Sequence, residues 1–189
     1  MKVSDRVRVI LAAAARSYRG DPGVAELHRI GARLDEPIRI ALAGTLKSGK
    51  STLINALLGE AIAPTDATES TRVVTWFRHG PVPKVTANHR SGVRTNVPIV
   101  REAGALSFDL EAQSGAAEGE LVDLDVEWPA AELRHATLVD TPGTSSLTPG
   151  VSERTLRLLV PDDRVPRVDA VVFLLRTPHA AHIGLLTRN

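Results

Sequence analysis

Apolar positions recur along this chain in two rhythms, and the change from one to the other lays out its elements. Val7, Ile10, Leu11, Ala14 and Tyr18 share one face of a helix over 4–19, with Ser4 placed to cap it. Val24, Leu27, Ile30 and Leu34 stripe a second helix over 23–34, and Gly20-Asp21-Pro22-Gly23 between the two is turn chemistry. Stripes of this kind are packing faces, and Pro37 closes the helical segment, 1–36. From there the pattern shortens. Ile38–Ala43 is a continuous apolar run that predicts a buried strand, and Lys50–Leu58 predicts a helix after it. Gly59–Ser70 is a polar loop, followed by strand-like pieces at Arg72–Arg78, Lys84–Asn88, Thr95–Val100, Leu106–Leu110 and Leu121–Trp128. Arg90-Ser91-Gly92-Val93 marks a hairpin turn and Gln113–Gly119 a loop. Thr137–Val139 is a short buried strand ending at Asp140, Ser152–Val160 a helix, and Ala170–Leu175 an apolar strand. Strand and helix alternating on either side of a β-rich insertion predict an α/β sheet with helices on both faces, occupying 37–189.

The strand–loop–helix at 38–58 carries the chemistry. Gly44-Thr45-Leu46-Lys47-Ser48-Gly49-Lys50-Ser51 spells G-x-x-x-x-G-K-S, a phosphate-binding loop. Its glycines let successive N–H groups turn inward on a phosphate, Lys50 brings a point charge to the β/γ oxygens, and Ser51 offers a hydroxyl to Mg²⁺. The helix that follows aims its positive end at the same anion. Gly44, Lys47, Ser48, Gly49, Lys50, Ser51 and Thr52 are therefore the candidate phosphate contacts. Asp140-Thr141-Pro142-Gly143 stands at a strand end, where open α/β sheets bind ligands. Asp140 there can hold Mg²⁺ through water, and the Gly143 N–H can meet a γ-phosphate. D-x-x-G in that place is the mark of a GTPase-like switch. Between the two motifs, a switch loop must supply a threonine hydroxyl to Mg²⁺. Thr71, just before the strand, is the first choice, with Ser70 and Thr68 as alternatives.

Composition narrows the field only slightly. The 189 residues are 43% hydrophobic and 24% charged with a net charge of +1, so nothing in the balance points to nucleic acid. There is no cysteine, which excludes disulfides and thiolate metal sites and agrees with a reducing cytosol. Met1-Lys2 followed by Val9–Ala15 imitates a leader, but Asp5, Arg6 and Arg8 crowd its start and the apolar run is short. The helical reading is the better one.

Together, G-T-L-K-S-G-K-S-T-L-I-N-A-L-L-G, P-T-x-A-T-x-x-T-R and D-T-P-G resemble the bacterial dynamin-like GTPases, and within them the C-type branch of the isoniazid-inducible group. The resemblance runs from about Arg29 to Thr177. It implies a dynamin-type G domain of the P-loop NTPase class, preceded by two helices of a neck bundle. It also implies GTP and Mg²⁺ as ligands, Lys50 and Thr71 as catalytic groups, and nucleotide-driven pairing of G domains. Membrane remodelling follows, at a cytoplasmic site peripheral to the inner face of the cell membrane. Two departures qualify it. Leu46 and Lys47 stand where eukaryotic dynamins carry Gln then Ser, and Thr144 stands where small GTPases keep a catalytic Gln, so water positioning falls to backbone groups or a partner subunit. No N/T-K-x-D motif for the guanine base follows Arg176, so the chain reads as a G domain incomplete at its C-terminus, with binding better supported than turnover. An ATP-using P-loop enzyme and a non-hydrolysing nucleotide module are the competing readings.

Other features carry less. Asp123, Asp125 and Glu127 alternate with apolar neighbours as one solvated strand face would. His179 and His182 have ligand-pair spacing without a third ligand. Arg90, Arg94 and Arg101 lack the aromatics of a nucleic-acid platform, and His28 is a surface residue.

Overall fold

A computed structural model describes residues 2–45, 47–63, 73–102, 105–108, 120–142 and 167–175. The chain divides into two compact units, Met1–Pro37 and Ile38–Asn189. The first is a hairpin of α1 (Val3–Ser17) and α2 (Val24–Arg33), neither of which holds a buried residue. Helix α1 starts one residue before the expected cap: Lys2 is its N-cap, and its N–H donates to Asp5 Oδ2 at 3.1 Å in place of any bond from Ser4. Arg8 ties the hairpin together, donating to Asp5, to Asp35 and to the Leu34 carbonyl. The apolar stripe of α1 is only partly covered, with Ile10 66% and Tyr18 64% exposed, and His28 is exposed as expected.

The second unit is built on a seven-stranded sheet. Its strands are β1 (Ile38–Gly44), β2 (Val74–His79), β3 (Lys84–His89), β4 (Arg94–Val97), β7 (Leu121–Trp128), β8 (Ala136–Asp140) and β9 (Ala170–Leu174). A separate antiparallel pair is formed by β5 (Ile99–Glu102) and β6 (Ala105–Phe108). The large sheet runs in the order β4-β3-β7-β2-β8-β1-β9. Around β1 it is parallel, with β8 on one side and β9 on the other. At β8/β2 it turns antiparallel, and the hairpin β3–β4 completes the far end. The strands expected to form an insertion are thus mostly members of the main sheet; β5 and β6 alone stand apart. One further expectation is corrected by chemistry: Thr95–Val100 is not one strand, because Pro98 has no N–H to donate and falls between β4 and β5.

The core lies on the sheet face covered by α3 (Lys50–Leu58) and a single 3₁₀ turn (Glu132–Arg134). Phe77, Leu42, Leu124, Val126, Val85 and Leu138 from the strands meet Ile54 and Leu58 of α3 and Leu133 of the turn. Period-two alternation decides the opposite face, which begins apolar with Ala41, Val139, Trp76 and Val74 and then turns polar. There Asp123 and Asp125 are half-buried, not solvated as the alternation suggested. Asn88 Nδ2 donates to both, at 2.6 and 3.1 Å, and Arg78 Nε donates to Asp125 at 2.9 Å. Arg78 also sits 5.1 Å above the Trp76 ring, which adds a cation–π contact. The helix expected at 152–160 and the pair His179/His182 lie outside the described residues.

Candidate functional site

The phosphate loop joins the end of β1 to the start of α3. The Ser48 N–H donates to the Thr45 carbonyl at 3.1 Å, closing a turn, and Gly49 then takes φ +96°, the left-handed conformation that favours glycine. The first α3 hydrogen bond follows from the Leu53 N–H to the Gly49 carbonyl at 2.9 Å. Gly44 is required by crowding: a Cβ there would fall against the Leu174 carbonyl oxygen of β9 and 2.8 Å from Ser48 Oγ. The loop therefore has a wall on its β9 side.

Strand β8 brings the second motif to the same place. It pairs with β1 in parallel register, Leu42 opposite Asp140, so β8 ends level with Leu42, two residues before β1 ends at Gly44 and the loop begins. Thr141 fixes that level, its Oγ1 donating to the Leu42 carbonyl at 2.8 Å. The Ser51 hydroxyl then donates to Asp140 Oδ2 at 3.3 Å, linking the two motifs directly. The other oxygen, Asp140 Oδ1, is shielded from solvent without a hydrogen-bond partner among the described residues, and so is Ser48 Oγ. Burial pushes the Asp140 carboxyl up to about 6, against the pull of the Lys50 ammonium and the Ser51 hydroxyl. Lys50 is itself buried, which lowers its pKa while Asp140 raises it.

A divalent cation and a phosphate fit this arrangement. Two shielded oxygens lack hydrogen-bond partners among the described residues, the buried Lys50 ammonium acts on the Asp140 carboxyl, and Gly44 leaves room where a Cβ would strike Leu174 and Ser48. Of the residues read from sequence, Gly44, Lys47, Ser48, Gly49, Lys50 and Ser51 line the loop, with Asp140 beside it. Thr52 is exposed on α3, Lys47 is exposed in the loop, and Gly143, Thr71, Ser70 and Thr68 lie outside the described residues. Two residues went unread. Thr141 positions Asp140, and its signal was only its place inside D-T-P-G. Asn55 accepts from the Ile62 and Ala63 N–H groups at 2.9 and 2.6 Å and donates to the Ala63 carbonyl at 2.9 Å. An amide in a helix otherwise lined by Leu and Ile was the available hint.

Residues 40–179, most of the chain, match the model of the dynamin family. This chain belongs to that family. It is 67% identical to the isoniazid-induced protein IniC of Mycobacterium tuberculosis over 98% of its own length and 38% of that protein's. It is 32% identical to IniA of the same organism over 88% of its own length and 26% of that protein's. The chain thus spans well under half the length of these curated relatives. Among solved structures, an oligomerised bacterial dynamin pair described as sensing and tethering membranes over long range matches at TM-score 0.57 and 19% identity. That match covers 92% of this chain and 27% of the solved one, and it shows the shared fold. Among the described residues, no helix is long and apolar enough to cross a membrane.

Proposed function

We propose that this chain is the nucleotide-binding part of a dynamin-like GTPase that takes GTP with Mg²⁺. The observation that carries the reading is the link from Ser51 Oγ to Asp140 Oδ2, 3.3 Å across two motifs 89 residues apart, beside a carboxylate oxygen that lacks a partner among the described residues. On this reading Ser51 and Asp140 hold Mg²⁺, with Thr71 supplying a further hydroxyl. Lys50 and the backbone N–H groups of 44–51 hold the phosphates, and the Gly143 N–H meets the terminal one. The metal, when bound, neutralises phosphate charge and draws the Asp140 carboxyl to its ionised form. Lys50 does its work from a buried position, where an ammonium without a counter-anion is unfavourable and a phosphate relieves that cost. The guanine base is supported by D-T-P-G and by family membership. Pairing of G domains, a neck-like role for 1–36 ahead of a G domain at 37–189, and membrane remodelling extend the reading along the same line.

Calorimetry with Mg²⁺ and GTP tests it. Lys50→Ala removes the fixed charge, worth about 1.5–3 kcal/mol, and should weaken binding roughly ten- to hundredfold. Unchanged affinity contradicts the phosphate-loop assignment, and in the full-length protein displacement of labelled nucleotide by ATP as readily as by GTP contradicts the choice of base.

A further inference from the structure

The buried residues of α3 are Lys50, Ile54 and Leu58, which follow one another along a single stripe. Contacts of apolar side chains set how closely a helix lies against a sheet, but they carry no direction. Hydrogen bonds do. The bond at the N-terminal end of α3, from Ser51 Oγ to Asp140 Oδ2, is 3.3 Å long. That exceeds the usual hydroxyl–oxygen distance of about 2.7 Å, so this bond is a weak guide to where the helix faces. Asn55 is a stronger one. It stands one helical turn after Ser51 and on the same face. Its Oδ1 accepts from the Ile62 N–H at 2.9 Å and the Ala63 N–H at 2.6 Å, and its Nδ2 donates to the Ala63 carbonyl at 2.9 Å. The backbone it meets is itself held, because Ile62 is fully buried in the core and Ala63 is 3% exposed. One amide thus ties the Ser51 face of α3 to fixed chain by three directed contacts. Only an amide both accepts and donates at that reach: a carboxylate offers acceptors without a donor, and an apolar side chain offers neither.

We propose that Asn55 is a positioning residue for the metal, holding α3 at the angle that keeps the Ser51 hydroxyl beside Asp140. The inference rests on the nucleotide-binding reading above, in which Ser51 and Asp140 hold Mg²⁺, and adds the residue that sets their approach. A turn of α3 by about 20° carries an oxygen roughly 4 Å from the helix centre through about 1.4 Å. Metal–ligand distances hold to about 0.2 Å, so a far smaller displacement is already felt. Ser51 therefore needs its direction fixed from somewhere other than its own long bond.

The test compares Asn55→Ala, Asn55→Asp, Ser51→Ala and the double variant Asn55→Ala/Ser51→Ala in the full-length protein. Calorimetry follows a non-hydrolysable GTP analogue across a Mg²⁺ titration and again in EDTA. Asn55→Ala should raise the Mg²⁺ concentration at half-effect roughly tenfold, with affinity in EDTA within about twofold of the parent. Asn55→Asp keeps the two accepting contacts and loses the donor, and should raise it about threefold. On the Ser51→Ala background, Asn55→Ala should add less than about twofold, because a residue that acts through Ser51 has nothing left to position. Amide exchange at Ile62 and Ala63 without nucleotide should quicken about tenfold in Asn55→Ala. An unchanged Mg²⁺ requirement in Asn55→Ala overturns the proposal, and so does a full tenfold effect on top of Ser51→Ala. If Asn55→Ala does not fold, Asn55→Asp decides: a threefold shift supports the proposal and an unchanged requirement overturns it. A parent that binds no nucleotide overturns the functional reading and this inference with it, whereas a binding parent matched by its Asn55 variants overturns this inference alone.

Discussion

The unit holds aspartates on two strands: Asp123 and Asp125 alternate with valine and leucine along β7, and Asp140 ends β8 after Leu138 and Val139. On β7, Asp123 and Asp125 face Asn88, Arg78 and Arg94, and each carboxyl has partners. On β8, Asp140 has one oxygen bonded to Ser51 and the other shielded and without a partner among the described residues. Burial raises the pKa of both Asp123 and Asp140. What differs is satisfaction. The β7 group is a closed polar ladder that stabilises the sheet it crosses. On β8, Asp140 keeps an acceptor oxygen without a hydrogen bond among the described residues, near the buried Lys50, and that is where a ligand belongs.

Asp140→Asn sharpens this contrast most. The raised folded-state value means that ionising Asp140 works against the nucleotide-free fold. Its penalty is absent below about pH 4, grows as pH climbs to about 6, and is complete above that, amounting to about 3 kcal/mol. The nucleotide-free variant should match the parent near pH 4 and surpass it at pH 7 in urea unfolding. It should also lose Mg²⁺-dependent nucleotide affinity. Parallel stability curves across that range would contradict the raised Asp140 value, and unchanged Mg²⁺-dependent affinity would place Asp140 with the satisfied group.

Asp125→Ala should behave in the opposite way. It removes an acceptor from Arg78 and Asn88, pairs that are partly exposed and screened, and should cost about 1 kcal/mol of stability. Mg²⁺–nucleotide affinity should stay at the parent value. A matching loss of affinity would mean that the ladder and the cradle are coupled, and the division between them would fall.

The smallest effect is optical. Trp76 is buried at 6% exposure, pairs with Val139, and lies one step along β2 from Thr75, which pairs with Asp140. Its fluorescence should change more with Mg²⁺ and a non-hydrolysable triphosphate than with the diphosphate, and Thr71→Ala should remove the difference. Equal responses would show that 59–71 does not sense the terminal phosphate.

The cradle was legible because its chemistry is local. G-x-x-x-x-G-K-S holds its glycines, lysine and serine within one turn of chain, and a strand and helix of ordinary hydrophobic pattern flank it. The sheet was harder to read. Periodicity identified β2, β3 and β7, but which strand adjoins which depends on contacts between distant residues such as Thr75 and Asp140. An insertion was therefore expected where the sheet continues. The acidic alternation on β7 was read as solvated because Asn88 and Arg78, the groups that satisfy it, are supplied by other strands. Thr141 and Asn55 act through backbone carbonyls and N–H groups, which every residue has, so their roles could not be read from residue type.

Asn55 has a mechanical consequence. Its amide grips the Ile62 and Ala63 backbone from inside α3, the helix whose first residues are Lys50 and Ser51. A rotation of α3 about its own axis would therefore be delivered to Ile62 and Ala63 through three hydrogen bonds to one side chain. Asn55 serves as the axle pin of that linkage between the phosphate helix and the chain that leaves it.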